Sequence, residues 1–239
     1  VFLVVYLRIY GKCFIDALAA IARSPWTLLL PMGLLVALNF AATLVAPLGI
    51  VGGFLLALAR TVGFSIYTYF LAEVVARQKS SLKDLKTAMG AYFWTWMNLF
   101  FVLWIVDLLL GAALAANPQR ETLSLAIKFM QLIVLNAAPE VIYQRRVMGG
   151  LDTIVTSFRF LQENWIEWFV PNGLVLAGLW LFFTHGGLLL LASVPFGVVG
   201  ALLLAGALFH VLMVARGFLF EVLAGSTHRQ RMFRFRGKL

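Results

Sequence analysis

Residues 26–76 read WTLLLPMGLLVALNFAATLVAPLGIVGGFLLALARTVGFSIYTYFLAEVVA, with Arg60 and Glu73 as the charged side chains of the whole stretch. A helix needs about 20 apolar residues to cross the hydrocarbon core of a bilayer. The stretch therefore holds two spans, one near 26–46 and one near 48–76. Ser24-Pro25-Trp26 opens the first, where Ser can cap and Pro can occupy the first turn. The second is long enough to tilt or to project beyond the membrane.

The same pattern continues outward. Spans are expected near 91–115 and 122–138, joined by the turn Asn117-Pro118-Gln119-Arg120-Glu121, then near 165–184. An uncharged fragment, His185 to Pro195, leads to a sixth span near 196–223. The composition agrees: of 239 residues, 62% are hydrophobic and 12% charged, and mean hydropathy is +0.95. Soluble domains run nearer half apolar and a quarter charged, and disorder needs low hydrophobicity. The fold expected is an all-α polytopic membrane bundle of one domain, 1–239, with about six spans.

Other segments are amphipathic rather than apolar throughout. Residues 3–21 place Leu3, Tyr6, Tyr10, Phe14, Leu18 and Ile21 at helical spacing, with Arg8, Lys12 and Asp16 elsewhere on the wheel. Residues 151–165 repeat this with Leu151, Ile154, Val155, Phe158, Leu161 and Trp165 against Asp152, Arg159 and Glu163. A shorter version runs from Leu82 to Met89. All three are expected to lie in the headgroup plane.

The net charge is +9, from 19 Lys+Arg and 10 Asp+Glu. In a soluble protein that surplus would suggest nucleic acid, but beside spans it records orientation. Arg8, Lys12 and Arg23 precede the first span; Arg77, Lys79, Lys83 and Lys86 follow the second; Arg145, Arg146 and Arg159 follow the fourth. Arg216, Arg229, Arg231, Arg234, Arg236 and Lys238 end the chain, whereas the opposite loops hold Arg120. Both termini are thus expected in the cytoplasm of a multi-pass inner-membrane protein. Val1 opens the sequence in place of Met, so residues are expected to precede it, and 1–22 lack signal-peptide order. Cys13 is the single cysteine, which excludes an intrachain disulfide and a cysteine-rich metal site.

A threefold repeat is also expected. Asp16 and Arg23 are spaced like Asp152 and Arg159, Trp26 precedes Pro31-Met32-Gly33, and Trp165 precedes Pro171-Asn172-Gly173; the middle third has Asp84 and then Trp94. Each unit, 1–77, 78–138 and 139–225, is an interfacial helix plus a helical hairpin, with 226–239 as a basic tail. Parallel repeats imply a pseudo-axis along the membrane normal.

Pro139-Glu140, Gly149-Gly150-Leu151-Asp152, Ser157-Phe158 and Glu163-Asn164-Trp165 form a segment that is similar to one in YciC-like bacterial inner-membrane proteins. That resemblance implies a six-span layout with interfacial helices, shared with the membrane domains attached to some glycerophosphodiester phosphodiesterases. Its specific residues are confined to about 139–165, and beyond them the likeness is one of architecture. It implies no catalytic residues, because the phosphodiester chemistry belongs to a soluble domain.

Ionisable side chains at bilayer depth cost a few kcal/mol each. At about 1.5 Å per residue, Arg60 lies roughly 18 Å from the outer end of its span, Asp107 roughly 12 Å and Lys128 roughly 9 Å. Asp107 is expected to neutralise Arg60, Lys128 or both in the bundle interior, as a static ion pair; a solute pathway is the alternative. Gly49 and Gly53, and Gly197, Ala201 and Ala205, recur four apart and are expected to let helices approach closely. Pro31, Pro171 and Pro195 are expected to kink or start spans.

In the tail, Arg229, Arg231, Arg234, Arg236 and Lys238 alternate with Met232, Phe233 and Phe235, a pattern for anionic headgroups. His185 and His210 differ by about 20 Å in depth and cannot share a haem. No metal, cofactor or nucleic acid is expected, and no catalytic set is present. The function expected is non-enzymatic: a structural or accessory subunit with membrane lipids and other membrane subunits, or a second copy, as partners. The alternative is a small transporter or channel for an ion, small solute or lipid.

Overall fold

The computed structural model describes residues 2–77, 79–184, 197–227, 229–231 and 233. Among them the chain is helical and without strands: α1 Phe2–Ile21, α2 Leu30–Val45, α3 Gly49–Val75, α4 Leu85–Ala91, α5 Phe93–Ala113, α6 Arg120–Val134, α7 Ala138–Arg145, α8 Gly150–Thr184 and α9 Gly197–Ala224. Four stretches of the described residues are long and apolar enough to cross a membrane: Pro25–Val75, Phe93–Ala113, Arg120–Arg145 and Val199–Ala224. This is a helical membrane protein. The side chains of 174–183, within the expected fifth span, and the fragment 185–196 with His185 and Pro195 lie outside the described residues.

The first stretch is folded back on itself. A 3₁₀ turn, Ala46–Leu48, separates α2 from α3, and Gly49 follows it with φ +56°, a left-handed conformation that glycine adopts without a Cβ penalty. Gly52 then sits against the Val45 carbonyl, Gly63 against Leu38, and Trp26 edge-on to Phe70 at 4.9 Å. Pro31 stands in the first turn of α2 and starts it rather than kinking it. Ser24 does not cap; its hydroxyl accepts from the Ser80 amide at 3.1 Å and ties the two ends of the hairpin together. In the same way α5 and α6 run antiparallel across a turn held by Asn117, whose Oδ1 accepts from the Gln119 amide at 2.8 Å.

The paired helices meet in sequence. Trp96 of α5 donates to Thr68 of α3 at 3.0 Å, and Trp168 of α8 donates to Asn136, between α6 and α7, at 2.8 Å. Gly206 of α9 accepts the Met32 side chain of α2. The second arm of one pair thus contacts the first arm of the next, and the last contacts the first. α9 is the central post, touching α1, α2, α3, α7 and α8.

The core occupies one end. α3 buries Thr61, Gly63, Ser65, Ile66, Thr68, Phe70, Leu71, Val74 and Val75, but in its first turns only Gly52. α5 buries Thr95, Trp96 and Leu99 near its start, and α2 and α6 bury nothing. The packed end is where Arg23, Arg77, Arg145 and Arg216 cluster; we call it the basic end.

The amphipathic helices divide their faces in three. α1 presses Val5, Ile9, Cys13 and Ala17 onto α9 and leaves Phe14, Ile15 and Leu18 exposed. In the first half of α8 the protein-facing stripe is Thr153, Ser157, Phe160 and Asn164, while Leu151, Val155, Phe158 and Trp165 face out. On α8 the inward stripe is largely polar because hydrocarbon, not water, receives the apolar face. The kink in α8 falls at Asn164 (φ −133°, ψ 22°) and not at Pro171, which the helix carries through.

Candidate functional site

A closed polar network fills the basic end. Glu140 of α7 is fully buried, and Arg216 of α9 donates to it through Nε at 3.1 Å and Nη2 at 3.3 Å. The same Nη2 donates to the Asn136 carbonyl. The guanidinium lies 4.8 Å from the ring centre of Trp168, whose Nε1 donates to Asn136 Oδ1. Three elements are thereby locked by one arginine, with a planar fork on a carboxylate and a cation on an indole face. Beside it, Gln144 Nε2 donates to the Gly217 carbonyl at 2.7 Å, and Tyr143 occupies the space that Gly217 leaves open.

A second lock holds the terminal segment. Arg231, 3% exposed, donates to Asn164 Oδ1 at 3.0 Å, to Glu167 Oε1 at 3.3 Å and to the Leu223 carbonyl at 3.0 Å. Tyr6 donates to Glu167 Oε1 at 3.2 Å, and Tyr10 to the Glu167 carbonyl at 3.0 Å. Burial, then the Glu167 carboxylate, push the Tyr10 phenol up to about 12. The lock explains the bend at Asn164, since its amide serves Phe160 while its carbonyl serves Arg231.

The expected charge cluster is arranged differently. Arg60, Asp107 and Lys128 are all exposed, not interior. Asp107 and Lys128 line one cleft of about 200 Å³ between α5 and α6, together with Arg120 and Ser124, and Arg60 is not part of it. Asp107 accepts a hydrogen bond from Gln131 Nε2 at 3.2 Å and forms no ion pair with Arg60 or Lys128. The physical reason lies in α6: Arg120, Ser124, Lys128 and Gln131 form a polar stripe, and among the described residues no helix besides α5 lines the cleft there. Among the described residues, the structure gathers no cluster of His, Cys, Asp or Glu suited to a metal.

The small-residue expectation shifts by position. Gly49 is the turn glycine and Gly53 has open space around it, while Gly52 and Gly63 make the close approaches. Ala205 is exposed, Gly197 and Ala201 are partly exposed, and Gly206 and Gly217 are the glycines that α9 packs through. In the tail, Arg229 is exposed, but Arg231 is corrected to an internal lock, because it is buried and donates through both terminal nitrogens to four carbonyl and carboxylate oxygens. Arg234, Arg236 and Lys238 lie outside the described residues.

Sequence reasoning missed Glu140, Asn136 and Trp168 as one unit, and counted Arg216 as a surface cation. A signal was present. Arg216 stands well inside the apolar run 197–223, and Glu140 falls directly after the apolar run 122–138. A cation inside one apolar run and an acid just past the end of another are candidates for pairing.

No protein family, curated protein or solved structure matches the chain.

Proposed function

We propose that the chain is a non-enzymatic integral inner-membrane protein that serves as a structural or accessory subunit of a larger membrane assembly. The observation that carries this reading is the open stripe on α5 and α6. Asp107 and Lys128 are exposed at a depth where each charge costs a few kcal/mol in hydrocarbon. A neighbouring subunit, or a second copy, that offers polar groups at that depth removes the cost. The Glu140–Arg216 network fits a scaffold, since both ionisable groups are occupied in holding helices together. Both termini are cytoplasmic in this reading, with Arg229, Arg234, Arg236 and Lys238 against anionic headgroups and no role for nucleic acid. The three-unit repeat and the kinship with YciC-like proteins belong to the same proposal; Glu140 and Asn164, from the resembling segment, act structurally in it.

Purification in a mild detergent tests the reading. A stoichiometric membrane partner or a defined homo-oligomer is expected, and Asp107→Asn with Lys128→Gln should release it while leaving the thermal stability of the isolated chain within about 1 kcal/mol. A lone monomer that a small solute stabilises would favour the alternative, a small transporter or channel. There Arg60, Asp107 and Lys128, staggered in depth, are the pathway residues.

A further inference from the structure

At the basic end a pocket of about 270 Å³ opens between α1, the end of α3 and the end of α9. Its floor is Cys13 and Phe218, and its rim carries Lys12, Asp16, Arg77 and Glu221. The rim is electrically balanced, with two bases and two acids. Arg77 pairs with Asp16 at 3.2 Å and lies over the Phe218 ring at 5.3 Å. Lys12 and Glu221 form no ion pair among the described residues. Arg77 itself has φ +60°, a left-handed conformation where glycine is the usual choice after a helix, and Arg23 fixes it by donating to its carbonyl at 3.1 Å. An arginine held there in spite of its Cβ places a guanidinium at the pocket mouth.

The pocket lies among the helix ends. Arg77 follows the end of α3 at Val75, Gly225 and Ser226 follow the end of α9 at Ala224, and Phe14, Ile15 and Leu18 of α1 face outward beside the rim. We propose that this pocket binds the headgroup of a zwitterionic, ethanolamine-bearing phospholipid. Lys12 and Arg77 take the phosphate. Glu221, with Asp16, accepts hydrogen bonds from the primary ammonium, which offers three donors. A headgroup of purely negative charge meets two carboxylates here, and a trimethylated ammonium has no N–H for Glu221. The volume suits a headgroup, being below the range of drug-sized sites. The pocket is separate from the α5–α6 stripe and independent of the subunit reading.

Native mass spectrometry of the full chain, presented with equal amounts of phosphatidylethanolamine, phosphatidylglycerol and phosphatidylcholine, tests it. Phosphatidylethanolamine should be retained about fivefold over either competitor; Glu221→Gln should lower that preference to near parity, whereas Lys12→Gln should lower retention of all three lipids. Both side chains are exposed, so the variants should fold, and an unchanged thermal midpoint in detergent checks that they do. Soluble glycerophosphoethanolamine separates the two sources of the headgroup: failure to displace the lipid at equal concentration supports a membrane ligand. Displacement at that concentration, equal retention of phosphatidylglycerol, an unaltered preference in Glu221→Gln, or unaltered retention in Lys12→Gln overturns the proposal.

Discussion

Glu140 and Asp107 are both acids on helices that cross the membrane region, and they are treated in opposite ways. Glu140 is enclosed by Arg216, and Arg216 in turn by Asn136 and Trp168. Asp107 has Gln131 on one side and an open cleft on the other. The Glu140–Arg216 network therefore satisfies its polar groups internally, whereas the α5–α6 cleft leaves polar groups available. In a low-dielectric setting that contrast separates a structural region from an interacting one more clearly than hydrophobicity does.

The largest effect should come from breaking the first of these acids. Glu140→Ala strands a largely sheltered guanidinium, and removal of one member of a buried pair costs about 3–5 kcal/mol. We expect a sharp loss of folded protein in the membrane and a lower midpoint in thermal unfolding. Asp107→Asn, which keeps the Gln131 contact within reach, should shift that midpoint by less than about 1 kcal/mol. Equal losses in the two variants would erase the distinction between the regions.

Glycines sharpen the same contrast on a smaller scale. A Cβ at Gly217 runs into Tyr143 and Val75, so Gly217→Ala should cost about 1–3 kcal/mol by overpacking. A Cβ at Gly53 meets nothing within 4 Å. Gly53→Ala should be neutral or stabilise by up to about 1 kcal/mol, through helix propensity. Thermal unfolding of the two single variants, side by side, is the measurement. A destabilised Gly53→Ala would mean that something covers the open half.

How far the sequence carried the fold follows from what each signal encodes. Apolar runs and basic loops are summed properties, so the all-α class and the membrane spans were legible from 26–76 outward. The identity of the packing glycine was not, because Gly52 and Gly53 are adjacent in sequence and lie on different faces of α3. Gly63 has Ala59 four residues before it, the same small-residue spacing, and it was passed over. The charges failed for a related reason. Depth along a span can be counted at 1.5 Å per residue, but rotation about the axis cannot be read without knowing the neighbours. Asp107 and Lys128 do share a cleft, yet the bundle interior proved to be elsewhere. Arg231 shows the limit of reading tails by composition: a run of alternating Arg and Phe predicts a surface, and one arginine of the run is an internal clamp.

The smallest effect at neutral pH becomes visible on raising it. Burial, then the Asp16 carboxylate, push the Cys13 thiol up to about 12. An unfolded cysteine titrates near 8.5, so between roughly pH 8.5 and 12 the native state holds a proton that the unfolded state has lost. Stability must then fall as pH rises through that window, and Tyr10, raised to about 12 beside Glu167, adds to the fall above pH 10. Cys13→Ser removes the thiol from this linkage. Its unfolding midpoint should differ little from the parent near pH 7 and decline less steeply from pH 9 upward. The parent thiol should also react with iodoacetamide at pH 8 on the order of a thousandfold more slowly than a free cysteine, from the thiolate fraction alone. Parallel pH profiles for the two proteins, or rapid alkylation of the native chain, would show that water reaches the thiol through the pocket that Cys13 floors, and that its burial does not hold the proton.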